Sequence, residues 1–155
     1  ERDEEELIRR VFTLNDMTAR DIMTPWKVVD TLSADSAVED TVKVVYDKPY
    51  SRYPVLDKEG TVVGICQTKD LLIALAKDHG SDTVREYMMP PHFVPETKRV
   101  DDLLAAFLAS RYHLFIARDS AGKQVGVVTF EDAIEQLVGE IVDETDEVVD
   151  LRKGT

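Results

Sequence analysis

The feature that most limits what this chain can fold into is that it repeats itself. Asp21-Ile22-Met23-Thr24-Pro25 is echoed by Glu86-Tyr87-Met88-Met89-Pro90 at an offset of 65 residues. Asp57-Lys58-Glu59-Gly60 returns as Asp119-Ser120-Ala121-Gly122 at an offset of 62. At the same offset, Gly64-Ile65-Cys66-Gln67-Thr68-Lys69-Asp70 returns as Gly126-Val127-Val128-Thr129-Phe130-Glu131-Asp132. Three echoes in one order mean a duplicated unit, and the change of offset fits one short loop deletion.

Each unit reads as a small mixed α/β motif. After the Met-Thr-Pro corner, where Pro25 disfavours helix at the residue before it, Val28-Val29-Asp30-Thr31 predicts a short lead-in strand. Ser36 with Glu39 predicts a capping box, and Val38, Val42, Val45 and Tyr46 then form one helical stripe. Tyr53-Pro54-Val55-Leu56 and Val62-Val63-Gly64-Ile65-Cys66 are apolar runs joined by an Asp-x-x-Gly turn, hence a β-hairpin. A helix with Leu71, Leu72 and Leu75 follows. In the second half, Val100, Leu103, Leu104, Phe107 and Leu108 predict the helix stripe. His113–Ala117 with Val125–Val128 predict the hairpin, and Ile134, Leu137, Val138 and Ile141 the closing helix. Near-continuous apolar strands imply sheets covered on both faces. A unit of about 60 residues does not easily bury that much alone, so two units packed through their sheets are expected. The resulting division is a connecting helix at 1–15 (Leu7, Ile8, Val11 and Phe12 at helical spacing), repeats at 16–80 and 81–142, and an acidic linker at 143–155.

Composition narrows the chemistry. The net charge of -12, with no Lys/Arg stripe to offset it, argues against nucleic acid as a partner. The acidic residues gather at the two ends, as solvated tails or as hard oxygen donors for divalent cations. Asp143-Glu144-Thr145-Asp146-Glu147 lacks the glycine and spacing of an EF-hand loop. Cys66 stands alone in an apolar run, so no disulfide framework exists. His79, His92 and His113 show no ligand spacing. With no Walker loop, nucleophile elbow or His-Glu-x-x-His helix, no enzyme activity and no catalytic residue is expected. No apolar run approaches the roughly 20 residues of a bilayer span, and a chain beginning at Glu1 is expected to be a piece of a longer protein.

The suggestive residues sit at hairpin ends. Thr129-x-x-Asp132 lies where a strand hands over to a helix. The pair can be a plain helix cap, or Asp132 can accept hydrogen bonds from ribose hydroxyls while the helix N-terminus offers free N–H groups. Tyr50-Ser51-Arg52-Tyr53-Pro54 leads into the first hairpin. Arg52 can belong to a surface ion pair or can meet phosphate oxygens, which its planar fork suits. Tyr50 can flank a base, and Thr24 can offer a hydroxyl to the adenine edge.

The order Met-Thr-Pro, hairpin, Gly-h-h-Thr-x-x-Asp resembles a tandem CBS-domain pair, a Bateman module, over residues 16 to about 142. The finer motifs are Asp21-Ile22-Met23-Thr24-Pro25, Ser51-Arg52-Tyr53-Pro54-Val55, Gly126 to Asp132, and Ile141-Val142-Asp143-Glu144-Thr145-Asp146. They are similar to those of the CorC/CNNM family of magnesium transporters, as is the leading Glu-rich helix through Phe12-Thr13-Leu14-Asn15-Asp16. The resemblance implies two CBS repeats, each a small sheet flanked by helices, packed as a pseudo-twofold pair with a nucleotide in the cleft between them. It implies a regulatory module on the cytoplasmic face of a membrane protein, joined to the parent's membrane domain and paired as a homodimer. The ligands would be ATP and Mg2+, the metal held through the phosphates rather than by the protein. Carried over by position, the nucleotide site is Thr24, Tyr50, Ser51, Arg52, Pro54, Val127, Thr129 and Asp132. One departure is Trp26, where the family often has Arg.

Two other readings fit the same residues. One is a CBS pair that senses AMP, ADP or another adenosyl ligand for an enzyme or a different channel; the other is a pure dimerisation module. The repeat also implies a single working site per chain. Gln67 stands where the second half has Thr129, and Ser51 and Arg52 are expected to find their counterparts at Tyr112 and His113.

Overall fold

The computed structural model describes residues 2–6, 16–47 and 50–144, the last five by backbone only. Residues 2–6 are helical. The connecting-helix residues Leu7, Ile8, Val11 and Phe12 lie outside the described residues, as does the acidic segment from 145 onward. Among the described residues no helix is long and apolar enough to cross a membrane.

The chain forms two compact units, one a continuous stretch and the other in two pieces. One is Val28–His92; the other joins Glu1–Lys27 to Phe93–Thr155. In the first, β2 (Leu32–Ser33), α2 (Val38–Asp47), β3 (Arg52–Leu56), β4 (Val62–Gln67), α3 (Thr68–Ala76) and β5 (Met88–Met89) follow in order. Its sheet runs β2-β3-β4-β5, with β2 parallel to β3 and the rest antiparallel. In the second, α1 (Ala19–Ile22) and β1 (Thr24–Pro25) precede β6 (Phe93–Pro95), α4 (Val100–Ala109), β7 (Leu114–Arg118), β8 (Gln124–Thr129) and α5 (Phe130–Glu144). Its sheet runs β1-β8-β7-β6, again with one parallel pair, β6 with β7. Parallel neighbours need a crossover, and α2 and α4 supply it.

The corner that opens each repeat therefore completes the sheet of the other. Thr24 and Pro25 pair with Val127 and Gly126, while Met88 and Met89 pair with Cys66 and Ile65. Two glycines make room for this. A Cβ on Gly126 would lie 2.5 Å from Met23 Sδ and 2.8 Å from the Thr24 carbonyl oxygen. On Gly64, its counterpart, a Cβ would run into the Met88 side chain. Backbone bonds from Ala19 to Lys98 O and from Arg20 to Glu96 O, with an Arg20–Glu96 ion pair at 2.8 Å, hold the first corner in its unit.

Both hairpins form where the apolar runs end. Asp57 Oδ1 accepts from Glu59 and Thr61, and Asp119 Oδ1 accepts from Ala121 and Lys123, so the same side-chain-to-backbone turn closes each. Gly60 and Gly122 take φ of 82° and 84°, a region costly for any other residue. Consecutive strand residues, which point to opposite faces, are buried together: Tyr53, Pro54 and Val55 in β3, and Phe115, Ile116 and Ala117 in β7. Phe107 stacks on Phe115 at 3.9 Å in the core of the second unit.

Four local expectations are corrected. The strand expected at Val28–Thr31 is displaced, because Trp26–Val28 winds into a 3-10 turn and pairing begins at Leu32. The Ser36–Glu39 box is replaced by tertiary capping: the Val38 and Glu39 N–H groups donate to the carbonyls of Asp82 and Gly80. The stripe on α2 runs through Val38, Thr41 and Val45, with Thr41 Oγ1 bonded to Val38 O, and Tyr46 is 85% exposed. Leu108, eight residues into α4 as Tyr46 is into α2, is 75% exposed; Leu72 and Val138 are also exposed. An eight-residue step turns about 80° around the helix, so these positions fall at the edge of the core stripe.

Candidate nucleotide site

The structure gathers the expected residues into two sets, one in each unit. Tyr50, Ser51 and Arg52 line a cleft of about 450 Å³ with Val45, Gln67, Thr68, Lys69 and Leu72. The cleft exists because the residues before β3 are tied to the start of α3. Thr68 N–H donates to Ser51 O at 2.9 Å and Thr68 Oγ1 to Tyr50 O at 2.6 Å. Arg52 pairs with Gln67 across the hairpin. The Tyr50 ring stands edge-on to Tyr53 at 5.8 Å and stays 52% exposed at the cleft. Pro54 is buried in β3 opposite Ile65 and does not line the cleft.

Arg52 has no ion-pair partner among the described residues. Lys69 is likewise unpaired among them, in the first turn of α3. Sequence reasoning missed Lys69, although it sits inside the repeated motif. Its counterpart at the 62-residue offset is Glu131, a reversal of charge.

Thr24, Val127, Thr129 and Asp132 form the other set. Thr24 is exposed at the corner and faces Val127 in the β1–β8 register. Two residues on, β8 ends at Thr129 and α5 begins. The helix cap is real: Thr129 N–H donates to Asp132 Oδ2 at 3.0 Å, and Asp132 N–H donates to Thr129 Oγ1 at 3.1 Å. This uses one carboxylate oxygen and one lone pair of the hydroxyl. Among the described residues Asp132 Oδ1 and the Thr129 hydroxyl proton take no other hydrogen bond, so the cap alone does not exclude a ligand. Trp26 follows the corner in the 3-10 turn.

The register also fixes the counterparts of the cationic residues, one position from where they were expected. Phe130 N–H donates to His113 O as Thr68 N–H does to Ser51 O. Ser51 therefore matches His113, Arg52 matches Leu114, and Tyr50 matches Tyr112, in place of the Tyr112 and His113 assignment for Ser51 and Arg52. Among the described residues no cluster of three or more His, Cys, Asp or Glu side chains could hold a metal ion.

Comparison with known proteins agrees with this architecture. The CBS domain family model matches residues 19–77 and 84–139. A UPF0053 protein of Synechocystis sp. is 40% identical over 154 residues, covering 99% of this chain and 44% of its own. The magnesium and cobalt efflux protein CorC of Vibrio cholerae is 37% identical over 146 residues, covering 94% of this chain and 50% of its own. The chain thus spans about half the length of these relatives. Among solved structures, the CBS domain of a bacterial CNNM/CorC family Mg2+ transporter in complex with ATP superposes with a TM-score of 0.82 at 33% identity. That match covers 88% of this chain and 98% of the other. With both halves matched and the solved domain covered almost end to end, the chain belongs to the CBS-domain family, as a tandem pair of the CNNM/CorC magnesium-transporter type.

Proposed function

We propose that the chain is the ATP-responsive regulatory module of a magnesium transporter, acting by binding rather than by catalysis at the cytoplasmic face of the membrane. The observation that carries this reading is its likeness to a CNNM/CorC CBS domain solved in complex with ATP. Its own residues add chemical support. Asp132 Oδ1 and the Thr129 hydroxyl suit a ribose, and Thr24 offers a hydroxyl beside Val127 in the sheet. Arg52, which has no ion-pair partner among the described residues, suits phosphate oxygens, and the exposed Tyr50 beside it suits an aromatic base. Mg2+ accompanies the nucleotide and lowers its charge.

The test is calorimetric titration of the chain with ATP, ADP, AMP and S-adenosylmethionine, each with and without magnesium. ATP with magnesium is expected to bind most tightly. Preference for AMP or S-adenosylmethionine would move the chain to the adenosyl-sensing class. No heat with any of the four would leave a dimerisation module.

A further inference from the structure

We infer that Lys69 is a second phosphate-binding residue, which with Arg52 makes this cleft selective for a nucleotide with a long phosphate chain. The inference rests on the ATP reading. In a chain of net charge -12, two cations with no ion-pair partner among the described residues line one cleft of about 450 Å³, Arg52 from β3 and Lys69 from α3. Ser51 and Thr68 supply hydroxyl-bearing side chains to the same lining. Two cations at one concave site focus the field on an anion more than either does alone.

Lys69 also lies in the first turn of its helix, where the dipole disfavours a cation. A cation in the first turn opposes the helix dipole, whereas an acidic residue there is favoured. The equivalent first turn of α5 carries Glu131, the residue the dipole prefers. The pair at Arg52 and Lys69 is matched by Leu114 and Glu131, so the two halves differ in charge at the same two positions. Lys69 therefore sits against the local preference of its helix and lines the same cleft as Arg52.

The experiment compares the parent with Lys69→Ala, Lys69→Glu and Lys69→Arg by calorimetric titration with ATP, AMP and adenosine in magnesium, with a thermal melt of each. Lys69→Ala should weaken ATP about tenfold, AMP less, and adenosine within about twofold. Lys69→Glu should weaken ATP further, and Lys69→Arg should restore it. The melting temperature of the Ala and Glu variants should hold or rise, because the unfavourable first-turn charge is gone. Unchanged ATP affinity in Lys69→Glu, in a parent that binds ATP, overturns the role of Lys69 and leaves the ATP reading intact. Equal losses for adenosine and ATP also overturn it, as a structural effect. A parent that binds no ATP removes both.

Discussion

Thr129 closes a capping box with Asp132 and also presents a hydroxyl proton that the box does not use. The two roles separate on substitution. Thr129→Ala should cost about 1 kcal/mol of stability, as loss of a helix cap does. Thr129→Ile keeps a β-branched residue at the end of β8 and removes the hydroxyl while adding bulk. It should remain folded and bind ATP at least about tenfold more weakly, or about 1.4 kcal/mol. Asp132→Ala should weaken ribose-containing ligands similarly; a melt and a titration on one sample decide the matter, and parental ATP affinity in folded Thr129→Ile returns Thr129 to a purely structural role. Cys66 makes a different kind of prediction. It is fully buried, and burial, with the nearby Asp70 charge, pushes its thiol up to about 12. A free thiol titrates near 8.5, so the unfolded chain loses its proton first. The stabilising contribution is whole below about pH 8.5 and is lost as pH rises toward 12. Urea midpoints measured from pH 8 upward should fall less steeply in Cys66→Ala than in the parent, and native Cys66 should resist thiol reagents.

At the level of elements, the glycines of the repeated motif explain why the corners sit where they do. Gly126→Ala would force Met23 and the Thr24 carbonyl away from β8, costing about 1–3 kcal/mol as overpacking does, measured by urea unfolding. Gly64→Ala should cost less, since the atoms it meets belong to the Met88 side chain and not to backbone. A cost below a few tenths of a kcal/mol at Gly126 would mean the corner is not held by close approach. The hairpins were legible in the sequence because apolar runs and Asp-x-x-Gly turns are local signals. The exchange of corners was not, since Thr24 pairs with Val127 across a hundred residues and nothing in either segment marks its partner. Tertiary carbonyls from Gly80 and Asp82 likewise overrode the Ser36–Glu39 box, which local spacing favoured. Arg52, Thr129 and Asp132 stand out as candidates from their residue types at strand ends alone. Lys69 was hidden by looking ordinary, one lysine in a helix, until the fold set it beside Arg52.

For the whole molecule, Tyr46 and Leu108 occupy equivalent positions of α2 and α4, and both expose large apolar side chains to water. We propose Leu108 as a contact of the homodimer that the family resemblance implies. Leu108→Asp should shift sedimentation equilibrium toward monomer without lowering the melting temperature; unchanged association would place the interface elsewhere. The net charge of -12 sets the ionic conditions for binding. Screening at physiological salt reaches only about 8 Å, so carboxylates repel free ATP, and magnesium on the phosphates relieves this. Affinity in excess chelator should therefore fall well below that in millimolar magnesium. The residues proposed to meet the nucleotide are not duplicated: Ser51 and Arg52 are answered by His113 and Leu114, and Thr129 by Gln67. One chain should therefore hold one nucleotide. The most direct measurement is the stoichiometry of ATP binding to the parent chain, by calorimetric titration in millimolar magnesium. One ATP per chain is the predicted result, and two per chain, or no binding, would contradict it.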